Sequence, residues 1–373
     1  MTKKLGIGVI GCGNISAAYM RLAPSFKSIE MRACADLNRQ ASAARAAEFG
    51  IRDLSIEELL AADDIDIVVN LTIPDAHFPV TMKILEAGKH AYSEKPLVLS
   101  LEDGKAMREK AAAKGLRVGC APDTFLGGSH QQARALIDDG SIGKVIAGSC
   151  HVMSHGMEDW HPNPDFFFQP GGGPVLDLAP YYITNLVNMI GPVARVAALT
   201  TKGSETRTIA NGERNGEEIP VDTATNIHAL LQFENGATIT MSNSWDVWAH
   251  RHANMEIYGS EGSLFVPDPN FFGGDLEMAG RDGDIKSVAA WDHPFSKAND
   301  GDHANYRTAG LADMADAILN GGDYRCSLDV ALHVVDVMTS ILKSGETGQF
   351  VQMTTSCNRP AAFGPTEANA LLA

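Results

Sequence analysis

An apolar run over residues 5–10 passes without a break into Gly11-Cys12-Gly13-Asn14-Ile15-Ser16, and Ala17, Ala18 and Met20 follow as the start of a helix. A strand that turns on glycines into a helix is the Gly-x-Gly-x-x-(Gly/Ala) arrangement, here with Ser16 in the third place. Gly11 would make the tight turn, and Gly13 would let the backbone approach a pyrophosphate. The unpaired N–H groups of the helix start would then face the anion. A glycine turn that only packs a strand on a helix is the plainer reading of the same residues. Asp36, at the end of the second apolar run, favours the nucleotide reading, because an acid there accepts hydrogen bonds from an adenosine ribose.

The alternation continues along the chain. Apolar runs at 5–10, 31–35, 65–72, 90–92 and 117–121 are separated by amphipathic segments, the pattern of strands joined by crossover helices in a parallel sheet. Ser55 with Glu58 has capping-box spacing, Ser100 with Asp103 starts another helix, and Lys114-Gly115 ends it. After Pro122 the pattern changes. A helix over 129–138 and a strand over 144–152 lead to two alternating runs, 227–233 and 237–241, which flank the hairpin signal Glu234-Asn235-Gly236. Further strands are expected at 194–201, 253–258 and 263–266. Residues 202–218 read as a polar loop, and helices at 306–319 and 327–343 precede a tail without a clear period. The expected fold class is an α/β N-terminal domain over 1–123, followed by an α+β domain over 124–373 with a large, mostly antiparallel sheet open on one face.

Charge narrows the partners. With 30 Lys and Arg against 46 Asp and Glu, the net charge of −16 works against nucleic acid and against anionic membrane surfaces. No apolar run approaches the roughly 18 residues that would span a bilayer. Met1 to Lys4 run straight into the first strand without a signal-peptide pattern. The six cysteines are scattered, with no Cys-x-x-Cys pair, as in a reduced cytoplasmic protein.

Other constellations suggest chemistry. Glu94-Lys95-Pro96 follows a short strand at the sheet edge where open α/β folds bind ligands; proline there fixes the backbone and can support a cis bond. An exposed lysine is the plain alternative. Gly171-Gly172-Gly173 leads into a helix on which Asp177 and Tyr181, four residues apart, share a face, able to orient a hydroxyl and relay its proton or simply to bond each other in a core. His151, His155 and His161, with Glu158 and Asp159 between, match no strong zinc spacing, so no metal is expected, and Trp160-His161-Pro162 reads as a pocket wall. Asn70-Leu71-Thr72 matches a glycosylation acceptor but lies in an expected core strand.

Taken in order, the glycine turn, Thr72-Ile73-Pro74-Asp75-Ala76-His77, Glu94-Lys95-Pro96, Ile142-Gly143 and the 171–181 stretch resemble the glucose-fructose oxidoreductase and inositol dehydrogenase family, the Gfo/Idh/MocA proteins, over about residues 4 to 345. The resemblance implies a Rossmann N-terminal domain, an open-faced C-terminal sheet, and an oxidoreductase that moves a hydride between a nicotinamide cofactor and a hydroxyl-bearing carbon of a sugar, cyclitol or related polyol. It puts Lys95 and Asp177 in catalytic positions, with Tyr181 where many members have histidine. Gly11, Gly13, Asn14, Ile15 and Asp36 would hold the dinucleotide, and Thr72, Pro74, His77 and Glu94 would line its nicotinamide side. Lys95, Asp123, Trp160, His161, Asp177 and Tyr181 would face the substrate, although Asp123 stands where many members place asparagine. NAD is expected over NADP, because Asp36 repels a 2′-phosphate and Arg39 is the one nearby cation. A homodimer or homotetramer through the C-terminal sheet is expected too, exposing Ala229, Leu231 and Met241 or their polar counterparts. Two other functions remain open: an NAD(P)-binding sensor without turnover, and an NAD-dependent glycoside-cleaving enzyme.

Overall fold

The computed structural model describes residues 3–161 and 163–373. Pro162, the last residue of the expected pocket wall, lies outside the described residues, as do Met1 and Thr2. The chain divides into two compact units. The first joins Met1–Gly128 to Asp292–Val335 and Pro360–Ala373, and the second joins Ser129–Trp291 to Asp336–Arg359. Two contiguous domains meeting at 123/124 are therefore not what forms. The chain returns to its first unit late, and nothing in local periodicity reports such a return.

In the first unit, strands β1 (Leu5–Ile10), β2 (Ile29–Ala35), β3 (Arg52–Asp53), β4 (Ile67–Asn70), β5 (His90–Ser93) and β6 (Val118–Cys120) form a six-stranded sheet in the order β3-β2-β1-β4-β5-β6. Every neighbouring pair is parallel. β1 and β4 are buried along their whole length, as a parallel sheet covered on both faces requires. Helices α1 (Asn14–Leu22), α2 (Arg39–Phe49), α3 (Ile56–Ala61), α4 (Pro74–Glu86) and α5 (Leu101–Lys114) make the crossovers. Their ends follow the sequence signals. The Ser55 hydroxyl accepts the Glu58 N–H while the Glu58 carboxylate accepts the Ser55 N–H, and Ser100 caps α5. Strand order reverses between β1 and β4, and at that reversal an open α/β sheet leaves a crevice beyond its carboxyl ends.

The second unit opens with α6 (Gly128–Asp138) and β7 (Val145–Met153), followed by α7 (Pro174–Asp177) and α8 (Ala179–Ile190). Its remaining strands are β8 (Val193–Thr201), β9 (Thr206–Thr208), β10 (Glu218–Pro220), β11 (Asn226–Phe233), β12 (Thr238–Ser244), β13 (Met255–Gly259), β14 (Ser263–Val266), β15 (Glu277–Ala279), β16 (Ile285–Ser287) and β17 (Val351–Gln352). Eight of them join β7 in one nine-stranded sheet in the order β16-β15-β14-β13-β7-β12-β11-β8-β17, antiparallel except between β7 and β12. The hairpin at Asn235-Gly236 forms as its sequence demands, Gly236 taking φ +92°. Ile227, Ala229, Leu231, Ile239 and Met241 are buried on one face of this sheet. α8 is buried throughout. On the opposite face Leu199 stands across from His228, and Leu230 from Thr240; Leu199 is 73% and Leu230 44% exposed. The polar stretch 202–218 is not a plain loop: β9 and β10 pair as a separate hairpin. Arg207 points inward there, a burial that hydropathy alone could not reveal.

Candidate functional site

The glycine turn after β1 has the shape that its sequence implies. Gly11 holds φ +102°, and a Cβ on it would lie 2.5 Å from the Leu71 carbonyl oxygen, so only glycine fits. At Gly13 a Cβ would meet nothing within 4 Å, which leaves the backbone open to a ligand. No side chain caps the N-terminus of α1, so donors stay available at Asn14 and Ile15 for a pyrophosphate. Ser16 folds back, donating to the Gly13 carbonyl at 2.6 Å and accepting from Arg45 Nε at 3.2 Å. Asp36 braces the turn: one carboxylate oxygen accepts the Cys12 N–H and the other the Asn38 N–H, both at 2.7 Å.

A cavity of about 460 Å³ opens here, with Gly11, Gly13, Asp36, Leu37, Thr72 and Ile73 among its walls. Leu37 is 91% and Ile73 67% exposed; two apolar side chains standing in water beside an acid suit a flat base with its ribose at Asp36. The residues present thus fit an adenine dinucleotide. Arg39 is turned away, paired with Asp53 at 2.9 Å and donating to the Leu54 carbonyl.

Beyond β4 the sequence placed Thr72, Pro74, His77 and Glu94 along the nicotinamide side. The structure gives them different surroundings. Thr72 lines the cavity, and Pro74 opens α4. His77 is buried, with Nδ1 2.6 Å from the Pro96 carbonyl oxygen and Nε2 3.0 Å from that of Thr72, so it holds backbone rather than reaching a ligand. Burial pushes its pKa below the ordinary value, and the two carbonyl contacts oppose that shift. Glu94 is also buried; its oxygens accept the Tyr19 hydroxyl and the Lys95 N–H, both at 3.0 Å. Lys95 is half-buried, and the Lys95–Pro96 bond is cis.

Asn70, which the sequence offers only as an accidental glycosylation match, is the hub of this loop. Its amide donates to the His77 carbonyl and the Thr81 hydroxyl at 3.0 Å each, and its oxygen accepts the Thr72 hydroxyl at 2.7 Å and the Thr72 N–H at 3.3 Å. All four hydrogen-bonding positions of the side chain are filled. An asparagine ending a fully buried strand was the available signal.

Asp123, expected to face a substrate, is 1% exposed. One of its oxygens accepts the N–H groups of Thr308 and Gly310, at 2.9 and 3.0 Å, where the helix α9 (Ala309–Asn320) begins. Thr308 has φ +114°, a conformation that a β-branched residue keeps only when its surroundings impose it. Asp123 is thus placed to hold strained backbone.

In the second unit, Asp177 and Tyr181 do not share one helix. Pro180 has no N–H to give to the Leu176 carbonyl and its ring crowds that turn, so α7 ends at Asp177 and α8 restarts after Leu178. Asp177 is left half-buried and Tyr181 5% exposed in the first turn of α8. Gly173 holds φ +91° before α7.

The loop after β7 is tied down by residues that the sequence reading missed. Arg207 donates to Glu158 at 2.8 Å, to the carbonyls of His155 and Trp245 at 3.0 Å each, and to Asp246. Around it Met157, Phe168, Ile209, Ile219, Val221 and Trp245 form a satellite core. His151 stacks on His252 and His155 on Trp248, with ring centroids 4.1 and 3.4 Å apart. Among the described residues, no group of three His, Cys, Asp or Glu side chains is placed to hold a metal ion. No helix there is long and apolar enough to cross a membrane.

Two family models match the chain: "Oxidoreductase family, NAD-binding Rossmann fold" over residues 5–121, and "GFO/IDH/MocA C-terminal domain" over residues 130–265. Levoglucosan dehydrogenase of Pseudarthrobacter phenanthrenivorans is 25% identical over 289 residues, covering 70% of this chain and 73% of the relative. Myo-inositol 2-dehydrogenase of Thermotoga maritima is 23% identical over 262 residues, covering 70% and 74%. A solved levoglucosan dehydrogenase in complex with NADH and levoglucosan superposes with a TM-score of 0.81 at 21% identity, covering 95% of this chain and all of that one.

Proposed function

Because this chain belongs to the Gfo/Idh/MocA family of oxidoreductases with an NAD-binding Rossmann fold, we propose that it is an NAD-dependent dehydrogenase that moves a hydride between the nicotinamide and a hydroxyl-bearing carbon of a sugar, cyclitol or related polyol. The observation that carries this reading is the dinucleotide cradle: an open Gly13, an uncapped α1, Asp36 at the ribose position, and an apolar cavity for the base. NAD supplies the hydride acceptor when bound. NAD is preferred over NADP because Asp36 carries negative charge where a 2′-phosphate would come, while Arg39 is engaged by Asp53.

Removal of a hydride from a carbinol carbon requires its hydroxyl proton to leave, so a base must stand within about 3 Å of that oxygen. Lys95 is assigned that part. Glu94, accepting the Lys95 N–H at 3.0 Å, fixes its backbone, as a group of defined reach needs. Asp177 orients the substrate hydroxyl, and Tyr181 donates to or accepts from the same oxygen. Self-association through the open sheet face with Leu199 and Leu230 completes the proposal; light scattering that gives a monomer at micromolar concentration contradicts that part. The dehydrogenase reading is tested by mixing the protein with NAD⁺ and a panel of aldoses and cyclitols and following NADH fluorescence. Reduction with at least one compound supports it. NADH binding without any turnover favours the sensor.

A further inference from the structure

The loop after β7 carries three acids, Glu158, Asp159 and Asp165, and no lysine or arginine between residues 153 and 168. Two arginines reach it from the segment of the β9–β10 hairpin, and both are engaged within the fold. Arg207 bonds Glu158 and Asp246; Arg214 bonds Asp165 at 2.6 and 3.0 Å and Glu217 at 2.8 Å. The backbone of the loop is fixed as well, since the Asn211 amide donates to the carbonyls of Glu158 and His161 at 2.9 and 3.2 Å.

What this braced loop presents to solvent is aromatic. Trp160 is 63% and Phe166 49% exposed, and the His161 ring stands edge to face with both, 5.5 and 5.6 Å away. Trp248, 79% exposed, has one face covered by the His155 ring and the other turned out. Exposed rings held on a rigid frame mark a recognition surface. Indole and imidazole combine an apolar face for the C–H side of a ring with N–H groups for its hydroxyls. A phosphate or carboxylate would meet Glu158, Asp159 and Asp165 here, with both hairpin arginines engaged and Arg251 exposed three residues after Trp248, so acid outnumbers base, an arrangement of the kind that selects against a ligand.

We infer that this aromatic loop selects the substrate, and that it selects an uncharged ring, a free sugar or cyclitol, over a sugar phosphate, a sugar acid or a nucleotide-linked sugar. The inference rests on the dehydrogenase reading, since the ring is the one whose hydroxyl is oxidised.

The test uses the full chain with NAD⁺ and matched compounds: a free aldose beside its phosphate, its uronic acid and its nucleotide diphosphate, and inositol beside inositol phosphate. The neutral member is expected to show kcat/KM about tenfold or more above its charged partners. Trp160→Ala and Phe166→Ala, both at exposed positions, are expected to raise KM for the neutral substrate several-fold, with kcat and the NADH Kd within about twofold of the parent. A charged compound used better than its neutral parent overturns the inference, as does an unchanged KM in both variants. Failure to oxidise any compound while NADH still binds overturns the dehydrogenase reading itself and this inference with it, an outcome distinct from the other two.

Discussion

The Nδ1 atom of His77 lies 2.6 Å from the carbonyl oxygen of Pro96, and through this contact helix α4 is fastened to the residue that follows Lys95. The other ring nitrogen faces the Thr72 carbonyl at 3.0 Å. One buried ring thereby joins a wall of the cofactor cavity to the candidate base. The neutral ring has one N–H to donate, so removing it leaves one buried carbonyl oxygen without its donor, and His77→Leu is expected to cost about 1–3 kcal/mol in urea unfolding. His77→Gln, which keeps a donor, should recover part of that loss. Equal stabilities of the two variants would show that the ring acts by volume alone.

His130 gives the second unit an acid-sensitive element. It is fully buried; Nε2 lies 2.8 Å from the Phe271 carbonyl oxygen and Nδ1 3.1 Å from the Asn185 amide nitrogen, partners that suit the neutral ring with its proton on Nε2. Burial pushes its pKa down to about 4. The unfolded chain binds this proton near pH 6.5 and the native chain does not, so the contribution is complete above 6.5 and fades as pH falls toward 4. Its size is about 3 kcal/mol. Asp123, Asp268 and Asp313, whose burial raises their pKa values, act in the opposite sense. The comparison must therefore be between wild type and His130→Gln, with the variant losing about 2–3 kcal/mol less between pH 7.5 and pH 4.5. Parallel stability curves would contradict this assignment.

Arg207 is expected to be the most sensitive position of the satellite core. Arg207→Met leaves Glu158 and Asp246 without their counter-charge, which costs about 3–5 kcal/mol for a buried pair. Urea unfolding reads this directly, and a loss below about 1 kcal/mol would show the network to be solvated.

The frame of the first unit is legible because each strand, glycine and cap acts locally: Gly11, the Ser55–Glu58 box and the Asn235-Gly236 turn form as their residue types require. Side-chain direction was much less legible. The motif positions of His77, Glu94 and Asp123 suggest ligand contacts, but they do not report the partners that these side chains find elsewhere in the chain: Pro96, Tyr19 and Thr308. Arg207 was hidden for the same reason, since its counter-charges Glu158 and Asp246 lie on other elements. Asp177 and Tyr181 fall on two consecutive helices instead of one because the effect of Pro180 on the helix outweighs the continuous period.

The proposed preference for NAD rests on Asp36. Kinetics with both dinucleotides should give NAD the higher kcat/KM, and Asp36→Ala should narrow that advantage. Arg39→Ala should leave it nearly unchanged, because the guanidinium is held by Asp53. A wild type that prefers NADP would contradict the assignment of charge at the ribose.

The most direct test of the account is the turnover of Lys95→Met with whichever sugar or cyclitol the wild type oxidises. The account predicts that kcat falls about 100-fold or more while folding and NADH affinity persist, because a methionine of similar reach can hold space but cannot take a proton. Near-normal kcat in that variant would remove Lys95 from the chemistry and contradict the mechanism.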